Sequence, residues 1–209
     1  MNKRDYILNP TKASSLSYWK TNRIKVPPEM KIVNDEEFSE SLLEEYEDEL
    51  YFKMVHYPKN TEKNKYELPG HIIFIDASIE DFANHINSSY ERESVTTQEL
   101  YVYRERPVYD EKLWICLYDA DKKQIVATGI AEYDVLVKEG SLEWIQVSKD
   151  YRNHGFGSVI VHELLNRLKG KAEFVTVSGK VDNETKPGLL YKKCGFEDET
   201  IWHVLRRKT

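Results

Sequence analysis

The segment that most restricts how this chain can fold is a strand, a polar loop and a helix that follow one another in residues 141–168. The strand reads SLEWIQV and the loop SKDYRNHG, after which a helical pattern of apolar residues begins at Phe156-Gly157 and runs to Leu168. The N-terminus of a helix exposes unpaired N–H groups and carries a partial positive charge. A loop that leads into it from a strand is therefore suited to bind an anionic group such as a phosphate.

The glycines of this loop narrow the kind of phosphate site. Gly155 and Gly157 remove side chains where a phosphate would approach the backbone, and Arg152 adds a fixed cation. A dinucleotide-binding turn needs a third glycine where Ile160 stands, and a nucleoside-triphosphate loop needs Gly-Lys-Ser/Thr, which this loop lacks. The pattern R-x-x-G-x-G therefore predicts a pyrophosphate site, and the alternative is a turn that serves only strand–helix packing.

The pattern of the chain after residue 70 predicts an α/β fold in which one central sheet is flanked by helices. Strands are predicted at 71–76, 113–118, 124–133, 141–147, 172–177 and 201–206, and helices at 79–90, 97–104, 157–168 and 187–193. The second and third of these strands are joined by a short polar turn, which predicts an antiparallel hairpin.

The N-terminal part of the chain has a different pattern. Residues 34–50 match a helix with one apolar and one acidic face, and residues 51–57 match a short strand. A polar connector, 58–69, follows them. We therefore predict an N-terminal accessory segment, 1–66, that packs on a main domain, 67–209.

Charge and composition disfavour several classes of function. The chain has 209 residues and a formal net charge of −6 at pH 7, whereas binding of nucleic acid needs a basic surface. An acidic protein is better suited to a cationic partner such as an amine. Cys116 and Cys194 lack the spacing of metal ligands, and no apolar run is long enough to cross a bilayer. We therefore expect no metal, no nucleic acid, no membrane, and a cytoplasmic location with free thiols.

Several motifs in residues 71–209 together resemble the GNAT superfamily of N-acetyltransferases. The resemblance includes the strand SLEWIQV, the loop YRNHGFG, the helix SVIVHELLNRL, the strand FVTVSGKVDN and the segment LLYKKCGF. It implies a mostly antiparallel central sheet with a splayed strand pair at the CoA site. It also implies that acetyl-CoA is the cosubstrate.

The resemblance further implies which residues contact acetyl-CoA. The pyrophosphate loop of the family falls on a run of consecutive residues that would contribute mainly backbone N–H groups: Arg152, Asn153, His154, Gly155, Phe156, Gly157 and Ser158. The preceding strand carries a bulge in the family, and its exposed backbone, which pairs with the pantetheine arm, falls on Ile145, Gln146 and Val147. Asn183 matches a CoA-contacting asparagine, and Tyr191 matches a tyrosine that lies near the CoA sulfur.

The implied reaction is direct attack of a primary amine on the thioester in a ternary complex. The amine must lose a proton, and Glu143 is the first candidate for the general base, with Glu132 on the neighbouring strand as the second. Tyr191 would protonate the departing thiolate. Each carboxylate has the alternative of an ordinary outward strand residue, and the tyrosine has that of an aromatic side chain packed on its short helix.

The acceptor stays open between a small molecule and a peptide. The family builds its acceptor site from variable elements, which fall here on residues 79–108. A homodimer is left open as well. A function of a different class, a catalytically silent acetyl-CoA-binding module with a protein partner, keeps the CoA site but predicts no turnover.

Overall fold

The computed structural model describes residues 1–58, 66–90 and 93–208. Their contacts divide the chain into two compact units. Unit 1 combines Met1–Tyr57 with Phe174–Thr209, and unit 2 is the continuous segment Pro58–Glu173. Each unit is described by itself below.

The helices and strands of the described residues are numbered in chain order. The helices are Lys3–Leu8 (α1), Pro10–Ala13 (α2), Tyr18–Thr21 (α3), Ile79–Ser89 (α4), Thr97–Arg104 (α5), Phe156–Leu168 (α6) and Pro187–Lys193 (α7). The strands are Met30–Asn34 (β1), Tyr46–His56 (β2), Ile72–Ile75 (β3), Trp114–Asp119 (β4), Gln124–Asp134 (β5), Glu139–Val147 (β6), Phe174–Lys180 (β7) and Glu197–Arg207 (β8).

Unit 2 contains four antiparallel strands in the order β3-β4-β5-β6. Helices α4 and α5 cover one face of these strands, where Phe82, Ile86 and Leu100 pack with Ile130 of β5. Helix α6 covers the other face, because Gly129 lies against Ile160 and successive strand residues point to opposite faces. The helices that carry the predicted acceptor side and the predicted phosphate loop thus lie on opposite faces of one sheet.

The starts of α4 and α5 are set by local sequence. Ser78 accepts a hydrogen bond from the backbone N–H of Asp81, whose carboxylate accepts one from the N–H of Ser78 in return. Thr96 and Glu99 form the same reciprocal pair at the start of α5. Such capping boxes satisfy N–H groups that a helix otherwise leaves unpaired, so both helices begin where their sequence predicts.

Unit 1 contains four antiparallel strands in the order β1-β8-β2-β7. The N-terminal arm, defined as residues 1–21 with helices α1 to α3, is attached to β2 through Lys53, which is 1% exposed. The Lys53 ammonium donates to the Tyr6 hydroxyl at 3.0 Å and to the backbone carbonyls of Ser14 at 2.8 Å and Leu16 at 2.6 Å. These three contacts satisfy the donors of a buried ammonium group, which would otherwise be costly to bury.

The predicted helix over residues 34–50 is wrong. The structure has short 3-10 turns at Asp35–Glu37 and Glu40–Glu44, and then strand β2. The apolar residues of this segment fit a helical period, but its many carboxylates repel one another at helical spacing. Pairing of β2 with both β7 and β8 buries its second half, which includes Phe52 and Met54, and this long-range pairing overrides the local helical pattern.

The predicted α/β fold with mostly antiparallel strands and flanking helices is confirmed. The strands and helices predicted after residue 70 are all present, with ends shifted by at most four residues. The splayed strand pair and the boundary between 1–66 and 67–209 stay predictions, and residues 59–65 of the predicted connector lie outside the described residues. β2 lies between two strands from the C-terminal part, so this N-terminal segment is an integral part of a sheet.

Candidate functional site

The loop between β6 and α6 has the backbone of an anion-binding turn. Asn153 and Gly155 have positive φ angles of 65° and 85°, and a Cβ placed on Gly155 would meet no atom within 4 Å. Helix α6 begins directly after Gly155 with no side-chain hydrogen bond at its N-cap. The N–H groups of its first turn, which includes Gly157 and Ser158, are therefore suited to an anion. The residues present fit a pyrophosphate group.

The side chain of Arg152 makes structural contacts in this loop. Its Nε donates to the Val147 carbonyl at 3.3 Å, and its Nη2 donates to the Ser89 carbonyl at 2.9 Å. The guanidinium thereby joins the end of β6 to the end of α4. His154 Nδ1 lies 2.8 Å from the Arg152 carbonyl, to which it must donate because a carbonyl oxygen only accepts. Two of the five guanidinium donors are thus used within the protein, and the backbone N–H groups at the start of α6 are further donors for a phosphate.

Aromatic residues attach the loop to the core of unit 2. Phe156 is buried, and its ring packs edge-on against Tyr151 with the centroids 6.0 Å apart. The Tyr151 hydroxyl donates to the Asp119 carboxylate at 2.6 Å. This bond, together with the backbone N–H of Lys122, holds the pKa of Asp119 below its usual value. The loop is therefore anchored to β4 by a charge-assisted hydrogen bond.

The bulge of β6 lies at a different residue from the predicted one. Trp144 pairs with Ile130, and Leu142 pairs with Ala131, so Glu143 is the extra residue. Residues 145–147, where the bulge was expected, pair regularly with β5. A bulge is an interruption of the strand pairing at one residue and leaves little trace in a sequence pattern. The assignment of Ile145, Gln146 and Val147 to the pantetheine arm stays a prediction.

The structure brings the two candidate bases, Glu143 and Glu132, to one part of the sheet. The Ser141 hydroxyl donates to Glu143 Oε1 at 2.9 Å, and Ser141 is the cross-strand partner of Glu132. Glu143 is half-buried, and its position in a bulge is one in which strands often re-aim a side chain near an active site.

Glu132 differs from Glu143 in its environment. It is 3% exposed, and its Oε1 accepts a hydrogen bond from Arg106 Nη1 at 2.7 Å. Burial favours the neutral form of the Arg106 guanidinium, but the hydrogen bond and charge of Glu132 outweigh it and raise the pKa of Arg106. Glu132 would have to give up this ion pair to accept a proton. Glu143 is therefore the better candidate base.

Asn183 and Tyr191 lie in unit 1. The side-chain oxygen of Asn183 accepts hydrogen bonds from the backbone N–H and the hydroxyl of Thr185, at 2.9 and 2.7 Å. Tyr191 is 6% exposed in α7, and its ring packs against Phe52 and Phe196 with centroids 6.1 and 5.6 Å apart. The ring of Tyr191 is therefore held in place by its neighbours, as its alternative role of an aromatic packed on the short helix requires.

A buried polar network between α4 and the sheet was not predicted. His85 of α4 is 5% exposed, and its two ring nitrogens contact the hydroxyls of Thr128 and Ser148. Gln146 Nε2 in turn donates to the Thr128 hydroxyl. Burial lowers the pKa of His85 to about 4, so its ring is neutral near pH 7. One feature of the sequence indicated that His85 is buried, because it lies on the face of α4 that the apolar period predicts to be buried.

Within residues 1–58, 66–90 and 93–208, no group of three or more His, Cys, Asp or Glu side chains is arranged to hold a metal ion. Among the helices of the same residues, none has both the length and the apolar composition needed to span a bilayer.

A family model decides how this site is to be interpreted. Residues 109–198 match the model described as an acetyltransferase (GNAT) domain. This part of the chain, somewhat less than half of it, is therefore similar to a GNAT acetyltransferase domain. The matched residues include the loop of residues 152–157 and α6, as well as Glu132, Glu143 and Tyr191. The match supports acyl transfer as the general class of chemistry.

Solved structures agree with this family at the level of the fold. A GCN5-related N-acetyltransferase from Sphaerobacter thermophilus has a TM-score of 0.68 and 16% identity, over 87% of this chain and 61% of that one. A GCN5-related N-acetyltransferase from Kribbella flavida has a TM-score of 0.56 and 14% identity, over 86% and 68%. A functionally unknown conserved protein from Staphylococcus epidermidis has a TM-score of 0.59 and 14% identity, over 86% and 72%.

These identities are too low to transfer an activity. This chain spans about three fifths of the length of the Sphaerobacter thermophilus protein. No curated protein matches its sequence. The similarity to the solved structures therefore supports the fold alone.

Proposed function

We propose that this protein is an N-acetyltransferase that moves an acetyl group from acetyl-CoA to a primary amine by direct attack in a ternary complex. The observation that carries the proposal is the N-terminus of α6, which has no side-chain cap and follows the left-handed residue Gly155. This helix start lies within the residues that match the GNAT model. An uncapped helix start with two left-handed residues before it suits a pyrophosphate group.

In this proposal the first turn of α6 binds the pyrophosphate through backbone N–H groups, and residues 145–147 pair with the pantetheine arm. Asn183 contributes a further contact to CoA. Acetyl-CoA supplies an activated thioester carbonyl. The residues of the protein then have to deliver a neutral amine to that carbonyl and a proton to the sulfur.

The proton on the amine sets the main energetic problem. An alkylamine with a pKa of about 10.4 must lose its proton to attack at pH 7, which costs roughly 4.6 kcal/mol. Glu143 is proposed to accept that proton, because it is half-buried, stands in a bulge and is oriented by the Ser141 hydroxyl. Glu132 is the second candidate, and its ion pair with Arg106 makes it less suited to the task.

Bond changes in this reaction balance without a covalent enzyme intermediate. The amine nitrogen forms a bond to the carbonyl carbon, and the bond between that carbon and the CoA sulfur breaks. Glu143 takes the proton that the ammonium group loses before attack and releases it to solvent. Tyr191 gives its hydroxyl proton to the thiolate, and the second N–H proton, lost as the amide forms, restores that hydroxyl. The acceptor amine, from a small molecule or a peptide, is proposed to bind beside residues 79–108. A cytoplasmic location fits free thiols at Cys116 and Cys194.

Release of free CoA from acetyl-CoA in the presence of a panel of amines tests the proposal. We expect Glu143→Gln and Tyr191→Phe to lower kcat by about 10²- to 10⁴-fold, the usual contribution of a positioned acid or base. Tyr133→Phe is the control, because it removes a hydroxyl that only donates to the Lys171 carbonyl at 2.9 Å, and it should keep the wild-type rate.

Two results would contradict this assignment. Wild-type rates in both Glu143→Gln and Tyr191→Phe would refute the roles of these residues. Calorimetric binding of acetyl-CoA without CoA release for any amine would refute catalysis and favour the silent binding module.

A further inference from the structure

The second half of α4 and Tyr90, the residue that follows it, are attached by polar contacts to four consecutive residues, 145–148, at and just beyond the end of β6. Tyr90 directly follows α4 in the sequence, and its hydroxyl donates to the Ile145 carbonyl at 3.2 Å. Gln146 is linked to His85 through the Thr128 hydroxyl. The Val147 carbonyl is joined to the Ser89 carbonyl through Arg152. Ser148 contacts His85 directly at 2.9 Å. Polar contacts of this kind on every residue of a strand end specify one position for it.

The direction of each hydrogen bond in this network follows from one contact and from the neutral state of the His85 ring. The Ser148 hydroxyl lies 2.7 Å from the Ile125 carbonyl and must donate to it, because a carbonyl oxygen only accepts. Ser148 therefore accepts from His85, whose Nε2 must carry a proton. Since a neutral imidazole carries one proton, Nδ1 is bare and accepts from the Thr128 hydroxyl at 2.8 Å. The Thr128 oxygen then accepts from the Gln146 amide N–H.

This chain of donors requires His85 to be neutral. A protonated ring would donate from both nitrogens, and the Thr128 hydroxyl would lose its acceptor. The surroundings of the ring favour the neutral form, because α4 packs there in an apolar cluster that includes Phe82, Ile86 and Ile130. Burial accordingly lowers the pKa of His85 to about 4.

We propose that His85 is a positioning residue that, through its contacts with Thr128 and Ser148, holds Gln146 and Ser148, and with them the end of β6, in the arrangement that binds the pantetheine arm of acetyl-CoA. The effect on acetyl-CoA rests on the proposed function. The conformational ordering of residues 145–148 does not depend on the proposed function, since it follows from contacts within the protein alone. A strand end that is already ordered loses less conformational entropy when a ligand pairs with it.

Thr128→Val is the most direct test, because it keeps the shape of the side chain and removes the hydroxyl that links His85 to Gln146. Thr128→Ser restores the hydroxyl and serves as the conservative rescue. Asn87→Ala is the matched control on the same helix, since it removes two hydrogen bonds to Val95, at 2.8 and 3.0 Å, that do not involve β6.

Two quantities should be measured for each variant. The first is amide hydrogen exchange of residues 145–148 in the protein without ligand, which reports local opening of the strand. The second is the Kd of acetyl-CoA by calorimetry. We expect Thr128→Val to speed exchange at 145–148 and to raise the Kd about tenfold, the equivalent of one lost buried hydrogen bond. Thr128→Ser and Asn87→Ala should match the wild type in both measurements.

The outcomes separate this inference from the proposed function. Unchanged exchange at 145–148 in Thr128→Val would overturn the inference. Faster exchange with an unchanged Kd would overturn the link to acetyl-CoA and leave the proposed function intact. A wild-type protein that does not bind acetyl-CoA would overturn the proposed function, and the exchange data would still decide whether His85 orders the strand. If Thr128→Val does not fold, His85→Gln tests the same hydrogen-bond network. The amide N–H of the glutamine can replace Nε2 as the donor to Ser148, but the side chain has no second ring nitrogen to replace Nδ1 as the acceptor from Thr128.

Discussion

The close approach of α6 to β5 at Gly129 gives a prediction whose size can be estimated from the structure. A Cβ placed on Gly129 would lie 2.5 Å from Ile160 Cγ2, 3.1 Å from Leu164 Cδ1 and 3.4 Å from Ile115 Cγ1. Carbon atoms in contact are normally about 3.5–4.0 Å apart. The substitution Gly129→Ala therefore forces α6 away from β5 by about 1 Å, or forces Ile160 out of its rotamer.

The expected cost of Gly129→Ala is about 1–3 kcal/mol of unfolding free energy, the usual range for an overpacked core. Ile160 is fully buried, and Leu164 closes the neighbouring space, so the strain has no easy release. The loss of backbone freedom in the unfolded chain offsets only about 0.4–1 kcal/mol. The net cost is then up to about 2.6 kcal/mol, which for a chain of this size corresponds to a Tm lower by up to roughly 10 °C.

Urea unfolding of a double-mutant cycle measures this effect. Ile160→Ala alone should cost about 2–5 kcal/mol, and in the double variant the new methyl group occupies part of the space that Ile160 Cγ2 leaves. The double variant should therefore be more stable than the sum of the single changes by about 1–2 kcal/mol. Gly188→Ala is the control, since its Cβ would meet only ordinary contacts at 3.6 Å or more, and it should be neutral or stabilising.

Additive effects of Gly129→Ala and Ile160→Ala would refute this reasoning, because they would mean that the two positions do not compete for space. A Gly129→Ala variant as stable as the wild type would refute it as well.

Two further predictions concern buried polar groups. Lys53→Met should lower the unfolding free energy by about 1–3 kcal/mol and speed tryptic cleavage within the N-terminal arm, because the buried Ser14 carbonyl loses this donor and the Leu16 carbonyl keeps the Tyr6 hydroxyl but loses the ammonium group. Lys12→Ala, in an exposed ion pair, should cost less than about 1 kcal/mol, and equal effects would contradict the anchoring role of Lys53. The second prediction concerns pH. The pKa of His85 is 6.5 in the unfolded chain and about 4 in the folded protein, so between pH 4 and 6.5 the unfolded chain binds a proton that the folded protein does not. Stability should fall by at most about 3 kcal/mol as the pH drops from 6.5 to 4. His85→Gln should remove that slope in urea titrations across this range, and an unchanged slope would contradict the assignment to His85.

The fold of unit 2 was predictable because its signals are local. The apolar runs of β4 and β5, the capping residues Ser78 and Thr96, and the glycines at the start of α6 each act over a few residues. In unit 1 the decisive contacts are distant in sequence. β2 is a strand because β7 and β8 pair with it, and the acidic run that precedes its buried half matched a helix when considered alone.

Only part of the candidate site was predictable from the sequence. The loop of residues 152–157 could be identified from glycine spacing and from a resemblance. The bulge at Glu143 could not, since one unpaired residue does not change the composition of a strand. The network of His85, Thr128 and Ser148 joins residues far apart in the chain, and hydrogen bonds of that kind leave no periodic signal.

The position of β2 in the chain has a consequence for synthesis on the ribosome. β2 ends at His56, whereas its partners begin at Phe174 and Glu197, after the whole of unit 2. At about 5–20 residues per second, roughly 6–25 s of translation separate β2 from its first partner. Unit 2 is one continuous segment of the chain and is expected to fold during that time, while β2 has no partner strand to pair with. The acidic residues Glu47, Asp48 and Glu49 then act as gatekeepers that keep a nascent apolar strand from pairing with other chains.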